Sequence, residues 1–181
     1  MEISSMEKTI YLDTGICSGC GACVVACMDQ NDIYPEKGSP ALRRVYAVEE
    51  GQSPDARIVY VSVACQHCED SPCVMGCPTG AITRHDGTGA VVVREELCIG
   101  CRSCALACPF GVPRYDVEGR MRKCRLCVER VEAGLEPACV RVCPTGALRF
   151  GPVNAVLGEK EGRFVGTLLR AARRADVQGY R

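Results

Sequence analysis

The sequence of 181 residues has no tryptophan, only three phenylalanines and no long apolar run. Its apolar stretches all fall short of the roughly 20 residues that a membrane span needs. Residues 1–13 lack the basic start and apolar segment of a secretory signal, so we expect a cytoplasmic chain. With so few large side chains, an ordinary hydrophobic core would be thin for this length.

Cysteine is the residue that the chain has in excess, with 16 copies. They form four groups, numbered one to four along the chain: Cys17-Cys20-Cys23-Cys27, Cys65-Cys68-Cys73-Cys77, Cys98-Cys101-Cys104-Cys108 and Cys124-Cys127-Cys139-Cys143. A reducing cytoplasm disfavours disulfides and favours metal binding. Structural zinc also uses paired cysteines, so zinc in one group, the fourth above all, is the alternative to iron–sulfur clusters.

The spacing within the groups favours iron–sulfur clusters. Groups one and three read C-x2-C-x2-C-x3-C, and the last three groups end in Cys-Pro, as in bacterial [4Fe–4S] ferredoxins. Three thiolates come from one loop, and the fourth ligates the neighbouring cluster in two-cluster ferredoxins. The proline after it ends the short helix that carries it. We therefore expect four [4Fe–4S] clusters, which would occupy the volume of a missing apolar core.

Groups two and four depart from this simple spacing. Group two reads C-x2-C-x4-C-x3-C and group four reads C-x2-C-x11-C-x3-C, so each has one extended arm. The strings CPTGAI at 77–82 and CPTGAL at 143–148 repeat nearly unchanged. The chain is therefore an internal repeat whose unit is a strand, a cysteine-rich loop, a short helix and another strand.

Local patterns predict a few short elements. Strands are predicted at Lys8–Leu12, Arg57–Ala64, Ala81–Arg84 and Ala90–Val93, the last two flanking the turn HDGTG. Helices are predicted at Cys23–Gln30, Cys104–Cys108, Cys124–Ala133 and, with an amphipathic pattern, Gly166–Ala175. Residues 30–56 are rich in proline and glycine and are predicted to be a loop.

Four strings resemble the four-cluster iron–sulfur subunits of molybdenum and tungsten pterin oxidoreductases, a family with members in dimethyl sulfoxide reductase and formate dehydrogenase. They are CSGCGACVVACMDQND, CQHCEDSPCVMGCPTGA, CIGCRSCALACPFGVPRY and KCRLCVERVEAGLEPACVRVCPTGAL, which cover most of residues 17–148. The resemblance implies an α+β fold of tandem bacterial-ferredoxin-like units, one inserted in the other, with few short strands and helices wrapped around the clusters.

The implied domains follow this nesting. Residues 1–56 with 118–155 would form the outer lobe, which carries groups one and four. Residues 57–117 would form the inserted lobe with groups two and three, and residues 156–181 a C-terminal helical tail. Spacing alone also allows group one to pair with group two and group three with group four.

The resemblance also implies which cysteines share a cluster. The four predicted ligand sets, named set one to set four, are Cys17, Cys20, Cys23 and Cys143; Cys65, Cys68, Cys73 and Cys108; Cys98, Cys101, Cys104 and Cys77; and Cys124, Cys127, Cys139 and Cys27. In each set, three cysteines come from one group and the fourth comes from its paired group.

The implied function is an electron-transfer subunit without catalytic residues of its own. It would relay single electrons between a catalytic tungsten or molybdenum pterin subunit, such as an aldehyde oxidoreductase or a formate dehydrogenase, and a flavoprotein or ferredoxin. The alternatives are a subunit of a hydrogenase or carbon monoxide dehydrogenase, a free-standing polyferredoxin, and a redox sensor. Nucleic-acid binding is not expected, because the arginines lack interleaved aromatic residues.

The remaining polar residues are expected to play supporting parts. His67 is predicted to be a solvated loop residue, with a hydrogen bond to a cluster sulfur as the alternative. His85 is expected to be structural or exposed in its turn, and the pair Glu95-Glu96 to be a solvated strand end. Four basic residues are expected to screen cluster charge, with partner docking as the alternative: Arg120, Arg122, Lys123 and Arg125.

Overall fold

The computed structural model describes residues 8–159, 161–162 and 164–166. Within them the strands form four separate two-stranded antiparallel sheets, and no larger sheet is present in this part of the chain. None of the helices in the described residues is both long enough and apolar enough to be a membrane span. The fold is therefore a series of small sheets and helices around the cysteine loops.

The elements are short and follow one another closely. The strands are β1 Lys8–Leu12, β2 Arg44–Glu50, β3 Arg57–Val63, β4 Ile82–Arg84, β5 Val91–Val93, β6 Arg114–Tyr115, β7 Met121–Arg122 and β8 Leu148–Pro152. The helices are α1 Ala22–Gln30, α2 Pro72–Met75, α3 Ser103–Ala107, α4 Val128–Glu132 and α5 Ala138–Arg141. Turns of 3₁₀-helix lie at Pro35–Lys37 and Glu95–Leu97, and residues 153–159 are helical.

The two ends of the described chain meet. Strand β1 pairs with β8 so that Lys8 lies opposite Pro152, and helix α1 packs against α5. In the middle of the chain, helix α2 packs against α3, and β4 forms a hairpin with β5. These contacts bring group one beside group four and group two beside group three.

Strands β2 and β3 form the longest hairpin, with Arg44 opposite Val63 and Glu50 opposite Arg57. The prediction of a loop over residues 30–56 was therefore wrong, because Arg44–Glu50 is a strand. The prolines and glycines flank this strand and leave its alternating side chains uninterrupted. The hairpin crosses the predicted domain boundary at residue 56, and Ser62 of β3 lies against Cys23 of group one. The division into an outer and an inserted lobe stays a prediction.

Most of the predicted elements are confirmed, but helix α4 begins four residues later than expected. Leu126 and Cys127 have φ angles of 58° and 49°, a left-handed conformation that no α-helix contains, so the helix starts only at Val128. It ends before Gly134, as predicted, where φ is 76°. The predicted helix at 166–175 lies outside the described residues apart from its first residue.

The apolar core is divided into small clusters that contain cysteine. In three of the four clusters found in the described residues, the buried members include at least one thiol: Cys23 and Cys139 with Val140 and Leu148; Cys104 with Ile82, Val91 and Met121; and Cys27 with Ile33 and Leu42. The fourth consists of Ala90, Leu126 and Val128. The thin core expected from the composition is thus built around the sulfur atoms.

We expect Gly19→Ala to destabilise the protein more than Gly21→Ala. Both glycines have positive φ angles, 70° and 75°, so either substitution costs about 1 kcal/mol for a left-handed backbone. A Cβ at Gly19 would lie 2.3 Å from a ring carbon of Tyr60, whereas nothing lies within 4 Å of one at Gly21. For Gly19→Ala, this overpacking adds about 1–3 kcal/mol to the loss of stability.

Apparent melting temperatures of the two variants, compared with the parent protein, measure this difference. Adding Tyr60→Ala to Gly19→Ala should recover part of the loss that is specific to residue 19. Equal melting temperatures for the two single variants would contradict the packing of Tyr60 on Gly19.

Candidate metal centres

Two cavities are each lined by one of the predicted cysteine sets. The lining of one cavity includes Cys65, Cys68, Cys73 and Cys108, which are set two. The lining of the other includes Cys77, Cys98, Cys101 and Cys104, which are set three. Each cavity receives three cysteines from one group and the fourth from the other, because α2 packs against α3. The structure brings these residues together, and their ligation of iron stays a prediction.

Set four is the most enclosed of the four sets. All four of its cysteines are buried, whereas sets one and three each contain one exposed cysteine, Cys20 and Cys101. Burial, followed by the thiolates of Cys124 and Cys139, raises the pKa of Cys27 to about 12. Cys27 on α1 thus lies close enough to Cys124 and Cys139, about a hundred residues later in the chain, for their charges to act on it.

Two members of set one, Cys23 and Cys143, meet between α1 and the end of α5. Cys23 is buried in the apolar cluster of side chains that contains Cys139 and Leu148, and Cys143 packs against this apolar cluster. Cys17 and Cys20 lie in the loop that leads into α1. Sets one and four are therefore in contact, because Cys139 of set four packs with Cys23 of set one.

Hydroxyl groups accompany the sulfurs at equivalent places in the repeat. In the two CPTG strings, Thr79 Oγ1 lies 3.7 Å from Cys77 Sγ and Thr145 Oγ1 lies 3.8 Å from Cys143 Sγ. Burial alone would raise the pKa of Cys77, but hydrogen bonds from Thr79 and from backbone amides outweigh it, and the pKa is lowered. The repeated threonine therefore favours the thiolate, the form that binds metal.

Backbone amides also point at sulfur atoms. The N–H of His67 donates to Cys65 Sγ at 3.4 Å, that of Met121 to Cys98 Sγ at 3.3 Å and that of Leu126 to Cys124 Sγ at 3.4 Å. The left-handed backbone at residue 67 and at residues 126–127 belongs to these loops. The turns thus place fixed positive dipoles around thiolate charge, as second-sphere hydrogen bonds do in metal centres.

A structural zinc ion is the alternative to a cluster at these cysteines. Among the described residues, no three Cys, His, Asp or Glu side chains converge closely enough to hold one. Zinc would need its sulfur ligands within about 2.3 Å of one point.

His67 is enclosed, so the prediction of a solvated loop residue was wrong. Its Nδ1 accepts a hydrogen bond from the backbone N–H of Val91 at 2.9 Å, which leaves the ring proton on Nε2. Burial, followed by Lys123 and Arg84, holds the pKa of His67 well below its usual value, so the ring is neutral. Its Nε2 is buried and has no hydrogen-bond partner in the described part of the chain. The buried N–H at Nε2 of His67 thus lacks an acceptor among the described residues, and a sulfur atom of a bound cluster would supply one.

The four predicted screening residues divide by burial. Arg120, Arg122 and Arg125 form ion pairs with nearby carboxylates: Asp116 and Glu118, Glu95, and Glu129. Lys123 is only 5% exposed and donates to the backbone carbonyls of Val91 and Cys124. It also lines the cavity of set two. Glu95, expected at a solvated strand end, lies in a 3₁₀ turn, and His85 contacts Thr88 and Glu132 as a structural turn residue.

Arg43 was missed by the sequence analysis. It is 3% exposed, and its Nη1 donates to Ser62 Oγ at 2.9 Å. Burial disfavours the charged guanidinium, but thiolates led by Cys139 and Cys124 outweigh burial and raise the pKa of Arg43. No pattern marks this residue, because it stands beside the exposed Arg44 at the start of a strand.

Comparison with known proteins places these features in a family. Residues 56–153 match the family described as a 4Fe-4S dicluster domain. The protein is 41% identical over 161 residues to the B subunit of the anaerobic dimethyl sulfoxide reductase of Escherichia coli (strain K12), covering 84% of this chain and 76% of that subunit. It is 44% identical over 152 residues to the thiosulfate reductase electron transfer subunit PhsB of Salmonella typhi, covering 80% and 78%. It is 39% identical over 186 residues to the iron-sulfur subunit of the nitrate-inducible formate dehydrogenase of Escherichia coli (strain K12), covering 94% and 63%.

Serine substitutions test the composition of sets two and three. We expect Cys77→Ser and Cys101→Ser to alter the electron paramagnetic resonance (EPR) signal of the same cluster, because both residues line one cavity. Cys108→Ser should alter the same signal as Cys68→Ser. If Cys77→Ser and Cys68→Ser changed one common signal, each group would hold its own cluster and the exchange of ligands would be wrong.

Proposed function

The chain belongs to the 4Fe-4S dicluster family of iron–sulfur subunits of molybdenum and tungsten oxidoreductases, and on that basis we propose that it passes electrons to or from a catalytic subunit. It carries four [4Fe–4S] clusters, in keeping with its 16 cysteines. The observation that carries the proposal is the meeting of complete four-cysteine sets in two cavities.

The cysteines of the four sets would hold the four clusters. Set one is Cys17, Cys20, Cys23 and Cys143; set two is Cys65, Cys68, Cys73 and Cys108; set three is Cys98, Cys101, Cys104 and Cys77; and set four is Cys124, Cys127, Cys139 and Cys27. When bound, a cluster supplies a centre that accepts and releases one electron. The protein supplies thiolates, amide and hydroxyl hydrogen bonds to them, and exclusion of water from set four.

The donor sets adjoin one another in the order one, four, two, three. Cys23 of set one and Cys139 of set four belong to the same apolar cluster of buried side chains. Burial raises the pKa of Cys124 in set four to about 11, although the charges of Arg43 and Lys123 lower it. A thiolate at Cys65 of set two raises this pKa further, so sets four and two lie near each other. Sets two and three meet where α2 packs against α3. The exposed cysteines Cys20 and Cys101 lie in the first and last sets of this order, which suits contact with two different partners.

The same contacts support the nested fold as part of the proposal. Pairing of β1 with β8 encloses the middle of the chain between its two ends, as an inserted ferredoxin-like unit requires. The chain would have no catalytic residue of its own, since its described histidines are engaged with Val91 and with Thr88 and Glu132. Substrate chemistry would belong to the partner, which we propose to be a molybdenum or tungsten pterin enzyme such as a formate dehydrogenase or an aldehyde oxidoreductase. A flavoprotein or ferredoxin would be the second redox partner.

Native affinity purification with metal analysis tests this function. The anaerobically purified chain should contain about 16 irons and about 16 acid-labile sulfides, the content of four [4Fe–4S] clusters. A catalytic subunit with molybdenum or tungsten should co-purify in a constant ratio to the chain.

Other results would separate the alternative functions. Nickel in the co-purified protein would indicate a hydrogenase or carbon monoxide dehydrogenase. A chain that stays monomeric in size-exclusion chromatography and retains all its iron would be a free-standing polyferredoxin. An iron content near one per cysteine group would contradict cubane clusters altogether.

A further inference from the structure

Arg43 is a buried cation that pairs with no carboxylate in the described part of the chain. Removing a guanidinium from water costs several kcal/mol unless an opposite charge faces it. Among the described residues, no Asp or Glu forms an ion pair with Arg43, and its hydrogen bond to Ser62 Oγ joins it to a neutral group. The negative charge that this arginine needs must therefore come from elsewhere.

Thiols of two different sets lie near enough to Arg43 to act on its charge. Its guanidinium interacts with Cys139, Cys124 and Cys27, which belong to set four, and with Cys23, which belongs to set one. Ser62 links the arginine to set one, because Ser62 Oγ lies 3.5 Å from Cys23 Sγ and 2.9 Å from Arg43 Nη1. Arg43 thus lies where set one and set four meet.

We propose that Arg43 is a common counter-charge for the clusters of sets one and four and raises the reduction potential of both. This inference rests on the proposed function, since it requires a cluster in each set. Reduction adds one negative charge to a cluster, and a fixed positive charge nearby stabilises the reduced state. The effect is large in a buried position, where water and salt screen charges weakly. The thiolates that act on the guanidinium belong to sets one and four, so sets two and three should depend on Arg43 less.

The neighbouring arginine provides a matched control. Arg44 follows directly in the chain and carries the same charge, but its side chain is exposed at the start of β2. Removing its charge changes the formal charge of the protein by the same amount. Because solvent surrounds Arg44, its loss should leave all four potentials nearly unchanged.

The experiment is a potentiometric titration followed by EPR on the full-length chain with its clusters, purified anaerobically. The variants are Arg43→Met, Arg43→Lys and Arg44→Met, and Cys20→Ser and Cys127→Ser identify the signals of sets one and four. At the parent midpoint potentials, Arg43→Met should lower the ratio of reduced to oxidised cluster at least tenfold in sets one and four, a shift of about 59 mV. Arg43→Lys keeps the charge and should shift them much less, and Arg44→Met should shift none.

Two results would overturn the role of Arg43. One is unchanged potentials for sets one and four in an Arg43→Met protein that retains its iron. The other is an equal shift for Arg43→Lys and Arg43→Met, which would indicate lost packing instead of lost charge. If Arg43→Met loses its clusters, Ser62→Ala is titrated, because it removes the anchor of the guanidinium and keeps the charge. Because Ser62 Oγ also lies 3.5 Å from Cys23 Sγ of set one, the cluster of set four decides. A smaller downward shift of its potential supports the proposal, and an unchanged potential overturns it.

The iron content of the parent protein separates this inference from the function on which it rests. A parent chain with far fewer than about 16 irons contradicts the four-cluster function, whatever the variants do. A parent chain with the full content but insensitive to Arg43 contradicts only the inference.

Discussion

The structure depends on bringing sulfur atoms from distant parts of one chain together. Cys27 lies near Cys124 and Cys139, and Cys77 shares a cavity with Cys98 and Cys101. Sulfur is buried in three of the four apolar clusters of the described chain, so the same atoms that would bind metal also fill the interior. Short strands and helices suffice in such a protein, because each has only to position the next loop around its thiols. Buried thiols with raised pKa values must lose their protons when iron binds, which links assembly of the interior to metal binding.

Spacing predicted the short helices beside the cysteine loops well because it reflects local geometry, whereas the grouping of cysteines into sets came from the resemblance and stays a prediction. A C-x2-C-x2-C loop followed by a short helix determines the positions of its own sulfurs, and α1 and α3 lie within about one residue of their predicted limits. Strand β2 was missed because the glycines and prolines on both sides of it concealed a regular alternation. The late start of α4 was missed because nothing in the sequence marks Leu126 and Cys127 as left-handed.

Burial of polar side chains was harder to predict, since it depends on residues far away in sequence. His67 is enclosed through a hydrogen bond to Val91 across 24 positions, and Arg43 is held by Ser62 across 19. Arg43 and Arg44 are identical in type and adjacent in sequence, yet one is buried among thiols and the other is exposed. Of the four basic residues expected to screen cluster charge, Arg120, Arg122 and Arg125 pair with carboxylates, and Lys123 is buried.

The pairing of β1 with β8 has a consequence for biosynthesis. Set three has all its cysteines once the ribosome has made residue 104, and set two has all of its own at residue 108. Sets one and four both wait for the segment from 139 to 143, and β1 has no partner strand until residue 152 is made. Chains fold from the N-terminus as they are made, at about 5–20 residues per second. The thiols of group one, which are synthesised first, are therefore the ones that remain unprotected longest in the nascent chain.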